Sequence, residues 1–130
     1  MSDIRHQMAD ERKRQMGYED LKVYEKSYKS ALSIYRMTER FPKEEIYGLT
    51  SQIRRAATSI PLNIAEGYAK RESQAEFKRY LTMALGSSDE MQVLLSFAKD
   101  LGYINLETYK KSREIYKEIA KMLSKMIKSI

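Results

Sequence analysis

The feature that most constrains this chain is its apolar rhythm. Apolar residues recur every three to four positions through four long segments, and no comparable segment alternates with the period of two that a half-buried strand needs. The first segment runs from about Glu19 to Arg40, with Leu21, Tyr24, Tyr28, Leu32 and Tyr35 on one face beside Ala31. It is expected to end at Phe41-Pro42, because the residue before a proline is pushed out of the helical region. The second spans about Glu44 to Ala69, with Ile46, Leu49, Ile53, Ala56, Ala57, Ile60 and Ile64 as its stripe. Pro61 falls inside that stripe and predicts a kink or local break, since proline donates no backbone hydrogen bond. The third starts at Ser73, where Ser-x-x-Glu with Glu76 reads as a capping box. It continues through Phe77, Leu81, Ala84, Leu85, Ser88, Met91, Leu94, Leu95 and Ala98 to Leu101, and Gly102 supplies the stop. The fourth runs from about Asn105 to the end, with Tyr109, Ser112, Tyr116, Ile119, Leu123, Met126 and Ile130 as its seam. Short links between such helices favour antiparallel neighbours. The predicted fold is all-α, an up-down-up-down four-helix bundle over 18–130, with 1–17 a flexible charged extension.

Composition narrows the chemistry. The 130 residues suit one domain and contain no cysteine, which excludes a disulfide framework, a thiol nucleophile and a cysteine zinc site. The single histidine is His6, in the polar N-terminal stretch, so no multi-histidine metal site forms within one chain. No glycine-rich phosphate loop occurs. No cofactor is expected. No apolar run approaches membrane-spanning length and no secretory leader is visible, so a cytoplasmic location is the expectation.

The formal net charge is +6, and it is unevenly distributed. Residues 102–130 hold seven basic and three acidic residues. Lys110, Arg113, Lys117, Lys121, Lys125 and Lys128 step by three or four and share one helical face, opposite the seam. Such a stripe reads either as a phosphate-binding face or as a solvated one, with Glu107, Glu114 and Glu118 along its edge available to pair with it. Arg54 and Arg55 carry the same ambiguity. A guanidinium fork suits phosphate, but an ion pair to an acid on a neighbouring helix, such as Glu90 or Glu66, is the plainer expectation. Asn63 and Glu66 beside Pro61 are expected to satisfy backbone groups freed by the proline. An active site there would rest on one carboxylate without a partner. Ten tyrosines against three phenylalanines point to half-buried packing or subunit interfaces. Gly86, in a run of small residues, suggests close helix approach.

Phe41-Pro42, Glu45, Tyr47-Gly48-Leu49, Gln52 to Ala57, Ser59-Ile60, Asn63 to Gly67, Glu76-Phe77, Tyr80-Leu81, Ala84, Gly86-Ser87 and Leu101-Gly102 occur in that order. This closely resembles the bacterial four-helix-bundle family named for proteins encoded in intervening sequences of large-subunit ribosomal RNA genes. That family is similar in fold to the accessory variability determinant of diversity-generating retroelements. The resemblance implies a closed homopentamer and a non-enzymatic scaffold that binds RNA or DNA through phosphates, with a reverse transcriptase as a further partner. The alternative is a protein–protein interaction scaffold without nucleic-acid affinity. The expected contact residues are the six cations of the fourth helix, with Arg54 and Arg55.

Overall fold

The computed structural model describes residues 17–130. The expected extension at 1–17 therefore lies, but for Gly17, outside the described residues. Four helices follow in order: α1 (Lys22–Thr38), α2 (Leu49–Ala69), α3 (Gln74–Asp100) and α4 (Leu106–Lys128). Short 3-10 turns at Tyr18–Asp20 and Lys43–Glu45 precede α1 and α2. Among the described residues there is no strand.

Neighbours in sequence are neighbours in space. α2 packs against α1 and α3, α3 against α4, and α4 closes the ring onto α1; α2 and α4 sit on opposite corners. Cross-links fix the antiparallel register. Arg54 on α2 reaches Thr38 on α1 at 2.7 Å. Ser59 meets Ser87 at 2.9 Å, and Ser96 meets Tyr109 at 3.2 Å. The core is built from Val23, Ile34, Ile53, Ile60, Ile64, Leu81, Met91, Leu95, Tyr116, Ile119 and Leu123, all at most 2% exposed.

The ends of the helices follow local rules. Ser73 Oγ accepts the Glu76 N–H at 3.2 Å, which caps α3. The reciprocal half of a capping box is absent, since Glu76 turns to Arg79 at 2.9 Å instead. Gly102 stops α3 with φ of 81°. The Tyr103 N–H returns to the Ala98 carbonyl at 2.8 Å and the Gly102 N–H to Lys99 at 3.0 Å, a Schellman closure. At the same end Tyr103 lies 5.3 Å from the Phe41 ring and donates its hydroxyl to Glu45 at 2.8 Å.

Three local expectations are corrected. The first concerns α1. Its buried face is Val23, Ser27, Ser30, Ala31, Ile34 and Thr38, whereas Tyr28, Leu32 and Tyr35 are 41–49% exposed. The apolar reading is rotated by about one residue, or about 100°. Serine and threonine read as polar in sequence, but here they turn inward. Ser27 donates to the Tyr24 carbonyl at 2.9 Å, Ser30 to Lys26 at 2.7 Å and Thr38 to Ile34 at 2.8 Å, so each hydroxyl is satisfied within its own helix. The second concerns α2, which starts at Leu49 rather than Glu44. Residues 43–45 form the 3-10 turn instead, and Glu45 accepts the Leu49 N–H at 3.3 Å. Ile46 is left outside the helix and 56% exposed. The third is Pro61, which is buried inside an unbroken α2. Asn63 does not reach the carbonyl of Ala57 that the proline frees; it donates to Ser59, at 2.8 Å to the carbonyl and 2.9 Å to Oγ.

Candidate nucleic-acid interface

α4 is held in place by its seam. Tyr116, Ile119 and Leu123 face the core, and Asn105 Oδ1 caps the start by accepting the Thr108 N–H at 2.8 Å. Rotated away from that seam are the six cations. Lys110, Lys121, Lys125 and Lys128 are exposed, while Arg113 and Lys117 are half-buried on the flank. From Lys110 to Lys128 the row extends about 27 Å, at about 1.5 Å per residue.

The helix's own acids do not pair with the row, although the sequence makes them available to do so. Glu107 pairs with Lys111 at 3.2 Å and Glu118 with Lys26 on α1 at 3.0 Å. Among the described residues none of the six stripe cations enters an ion pair. Glu118 is thus drawn towards α1, and Glu114 forms no ion pair among the described residues. On the stripe's side, Lys121, Lys125 and Lys128 line a groove of about 480 Å³ shared with Leu85 and Asp89 of α3.

Further up the same flank the bundle adds one cation that the sequence reading left out, Lys99 of α3. The Tyr109 ring has Lys99 of α3 4.4 Å from its centre and Arg113 at 6.0 Å. Its hydroxyl ionises more readily than usual, through the hydrogen bond with Ser96 and then through Arg113 and Lys99. Spacing places Tyr109 in the seam, and Lys99 belongs to another helix. Their juxtaposition depends on the α3–α4 register and has no linear signature.

Arg54 and Arg55 are set apart from this face, because α2 is diagonal to α4. Neither forms the expected ion pair with Glu90 or Glu66. Arg54 donates through Nε to Thr38 Oγ1 at 2.7 Å and lies 4.7 Å from the centre of the Tyr35 ring. Arg55 is exposed and approaches Ser51 Oγ at 3.4 Å. Glu66 is exposed, 3.9 Å from Lys70, and Asn63 is engaged with Ser59. No paired carboxylates converge there. Among the described residues no cluster of His, Asp or Glu is arranged to hold a metal ion, and no helix is long and apolar enough to cross a membrane.

The fold and the charged flank together define a small basic four-helix-bundle protein. Residues 19–125 match the family described as 23S rRNA-intervening sequence protein, and the chain belongs to that family. A solved structure from Bacteroides thetaiotaomicron, described as a protein of unknown function from the S23 ribosomal protein family, is similar at 30% identity. The match covers 82% of this chain and 95% of that one, with a TM-score of 0.74. No curated protein matches the chain. Neither the family description nor that of the solved structure names an enzymatic activity.

Proposed function

We propose that this protein is a non-enzymatic, oligomeric nucleic-acid-binding protein that grips RNA or DNA phosphates along α4. The carrying observation is the row of six cations that its neighbouring acids leave unpaired. Ammonium and guanidinium groups spaced about 5 Å apart along a helix can follow successive phosphates of one strand. Such contacts give affinity with little base preference. Tyr109, flanked by Lys99 and Arg113, adds an aromatic surface to the same flank.

The oligomer belongs to this proposal, with the homopentamer as its expected form. Support comes from the outward side of α3, where Met83, Val93 and Phe97 are 45–57% exposed, the last two one turn apart.

The test is binding to a structured RNA and to duplex DNA across a salt titration. Log affinity should fall steeply with log salt, because several counterions are released. Converting Lys117, Lys121 and Lys125 to Glu should abolish binding while helical content survives. A control with the same charge change, Lys29, Lys43 and Lys70 to Glu, should retain most of it. Equal loss in both would make the effect one of net charge, and unchanged binding in the first would remove α4 from the interface.

A second reading, a protein-interaction scaffold without nucleic-acid affinity, is favoured by one observation. An apolar groove of about 320 Å³ runs between α1 and α2, with Tyr28, Leu32, Tyr35 and Leu62 exposed along it. Absence of RNA and DNA binding at low salt selects this reading.

A further inference from the structure

A concavity of about 540 Å³ lies where the last turns of α1 meet the first turns of α4, away from the groove that α4 shares with α3. Three cations line it: Arg36 in the last turn of α1, Arg40 just past the end of that helix, and Lys111 on α4. Three hydroxyls, of Ser33, Thr108 and Ser112, line it with them. Among the described residues Arg36 and Arg40 have no ion pair and no side-chain hydrogen bond. Lys111 meets Glu107 at 3.2 Å, but both side chains are about three-quarters exposed. Such a surface pair holds weakly and is readily exchanged for a phosphate.

The cavity is not uniformly polar. Met37, Tyr103 and Ile104 supply an apolar wall. The Tyr103 hydroxyl is already committed to Glu45 at 2.8 Å. Its ring is therefore the part of Tyr103 left to meet a ligand. The volume exceeds the needs of a bare phosphate and falls in the range of small-molecule sites. Paired guanidinium forks beside hydroxyl donors suit a phosphate monoester, whose oxygens accept several charge-assisted hydrogen bonds. An apolar wall next to them suits a flat ring.

We infer that this concavity is a nucleotide site, in which Arg36, Arg40 and Lys111 hold the phosphate and Tyr103, Ile104 and Met37 receive the base. The nucleotide arrives either free or as the phosphorylated end of a nucleic-acid chain. The site is independent of the α4 stripe, since a mononucleotide carries too few charges to be held along a row of cations.

The experiment uses the full chain and five probes by calorimetry: adenosine 5′-monophosphate, adenosine, inorganic phosphate, and short oligoadenylates with and without a 5′-phosphate. Adenosine monophosphate should bind about tenfold or more tightly than adenosine or phosphate alone, because each lacks half of the contacts. The exposed pair Arg36→Gln/Arg40→Gln should weaken it about tenfold or more, with the circular dichroism spectrum unchanged. Lys117, Lys121 and Lys125 converted to Glu should leave it unaltered. A preference for the 5′-phosphorylated oligonucleotide over its 5′-hydroxyl counterpart identifies a chain end as the source; equal binding of the two, with adenosine monophosphate still bound, identifies the free nucleotide. Inorganic phosphate binding as tightly as the nucleotide overturns the base-binding wall. No nucleotide binding, or equal binding by the double variant, overturns the site.

Discussion

Two helical glycines with opposite surroundings allow a paired test of the packing. A Cβ built on Gly67 would lie 2.8 Å from the Tyr80 Cβ and 3.4 Å from both the Phe77 ring and the Phe77 carbonyl oxygen. The first contact is with an atom bonded directly to the α3 backbone, so relief requires moving a helix. A Cβ on Gly86 would meet nothing within 4 Å, which removes the expected reason for a glycine there within one chain. Gly86→Ala therefore gains helix propensity at no steric cost, about 0.8–1 kcal/mol. At about 2.1 cal/mol/K per residue, that is a rise in Tm of about 3 °C for a chain of this size. Gly67→Ala gains less propensity, being near the end of α2, and incurs overpacking of about 1–3 kcal/mol. Its net effect should be a loss of about 1 kcal/mol or more, and the two variants should differ by about 2 kcal/mol. Urea unfolding followed by circular dichroism, repeated over a range of protein concentrations, measures both. A stabilised Gly67→Ala would refute the α2–α3 contact. A destabilised Gly86→Ala whose loss depends on protein concentration would put a second copy against α3, as the proposed oligomer allows, whereas a loss independent of concentration would refute the open-face argument.

Tyr116 is 1% exposed and its hydroxyl is the one buried side-chain polar atom without a partner among the described residues. Tyr116→Phe should raise stability at neutral pH by about 1 kcal/mol, because an unsatisfied buried hydroxyl is removed; a destabilised variant would mean the hydroxyl is bonded. Burial also pushes the ionisation of this phenol well above its ordinary value of 10.0. The unfolded chain ionises it first, so this group adds no pH dependence below pH 10 and the fold loses stability as pH rises from there towards the folded value, by up to about 1.4 kcal/mol per unit. Urea unfolding between pH 9 and 11 should show a shallower alkaline loss in Tyr116→Phe, and identical slopes would refute the assignment. Thr38→Val keeps the buried shape but deprives Arg54 Nε of its acceptor at 2.7 Å, and should lower stability by about 1–3 kcal/mol in the same assay.

Much of the fold was legible because helix period, proline, glycine and capping residues act locally. The seams of α3 and α4 match the buried residues, and Ser73 and Gly102 cap and stop α3 as their chemistry requires. The buried face of α1 lies one position away from its apolar stripe because small hydroxyl residues count as polar by type. Thr38 and Ser27 become core residues once their own helix satisfies them. The stripe of α4 was legible as a row of cations. Its freedom from the adjacent acids was not, because Glu118 is drawn off by Lys26, far away in sequence. Arg54 shows the same limit: its partners are a threonine hydroxyl and a tyrosine ring on α1, where sequence chemistry pointed to a carboxylate.

The sequence by itself determined the helices, their order and the concentration of positive charge on the last of them. Each of these depends on residues within a few turns of one another, where backbone geometry is fixed and spacing translates directly into position. Only the tertiary structure decided which faces meet. The rotation of each helix about its axis is set by packing against two neighbours at once. That rotation turned the α1 tyrosines outward, parted Arg54 from the α4 cations, and brought Arg36 and Arg40 to Lys111 across the closing edge of the bundle.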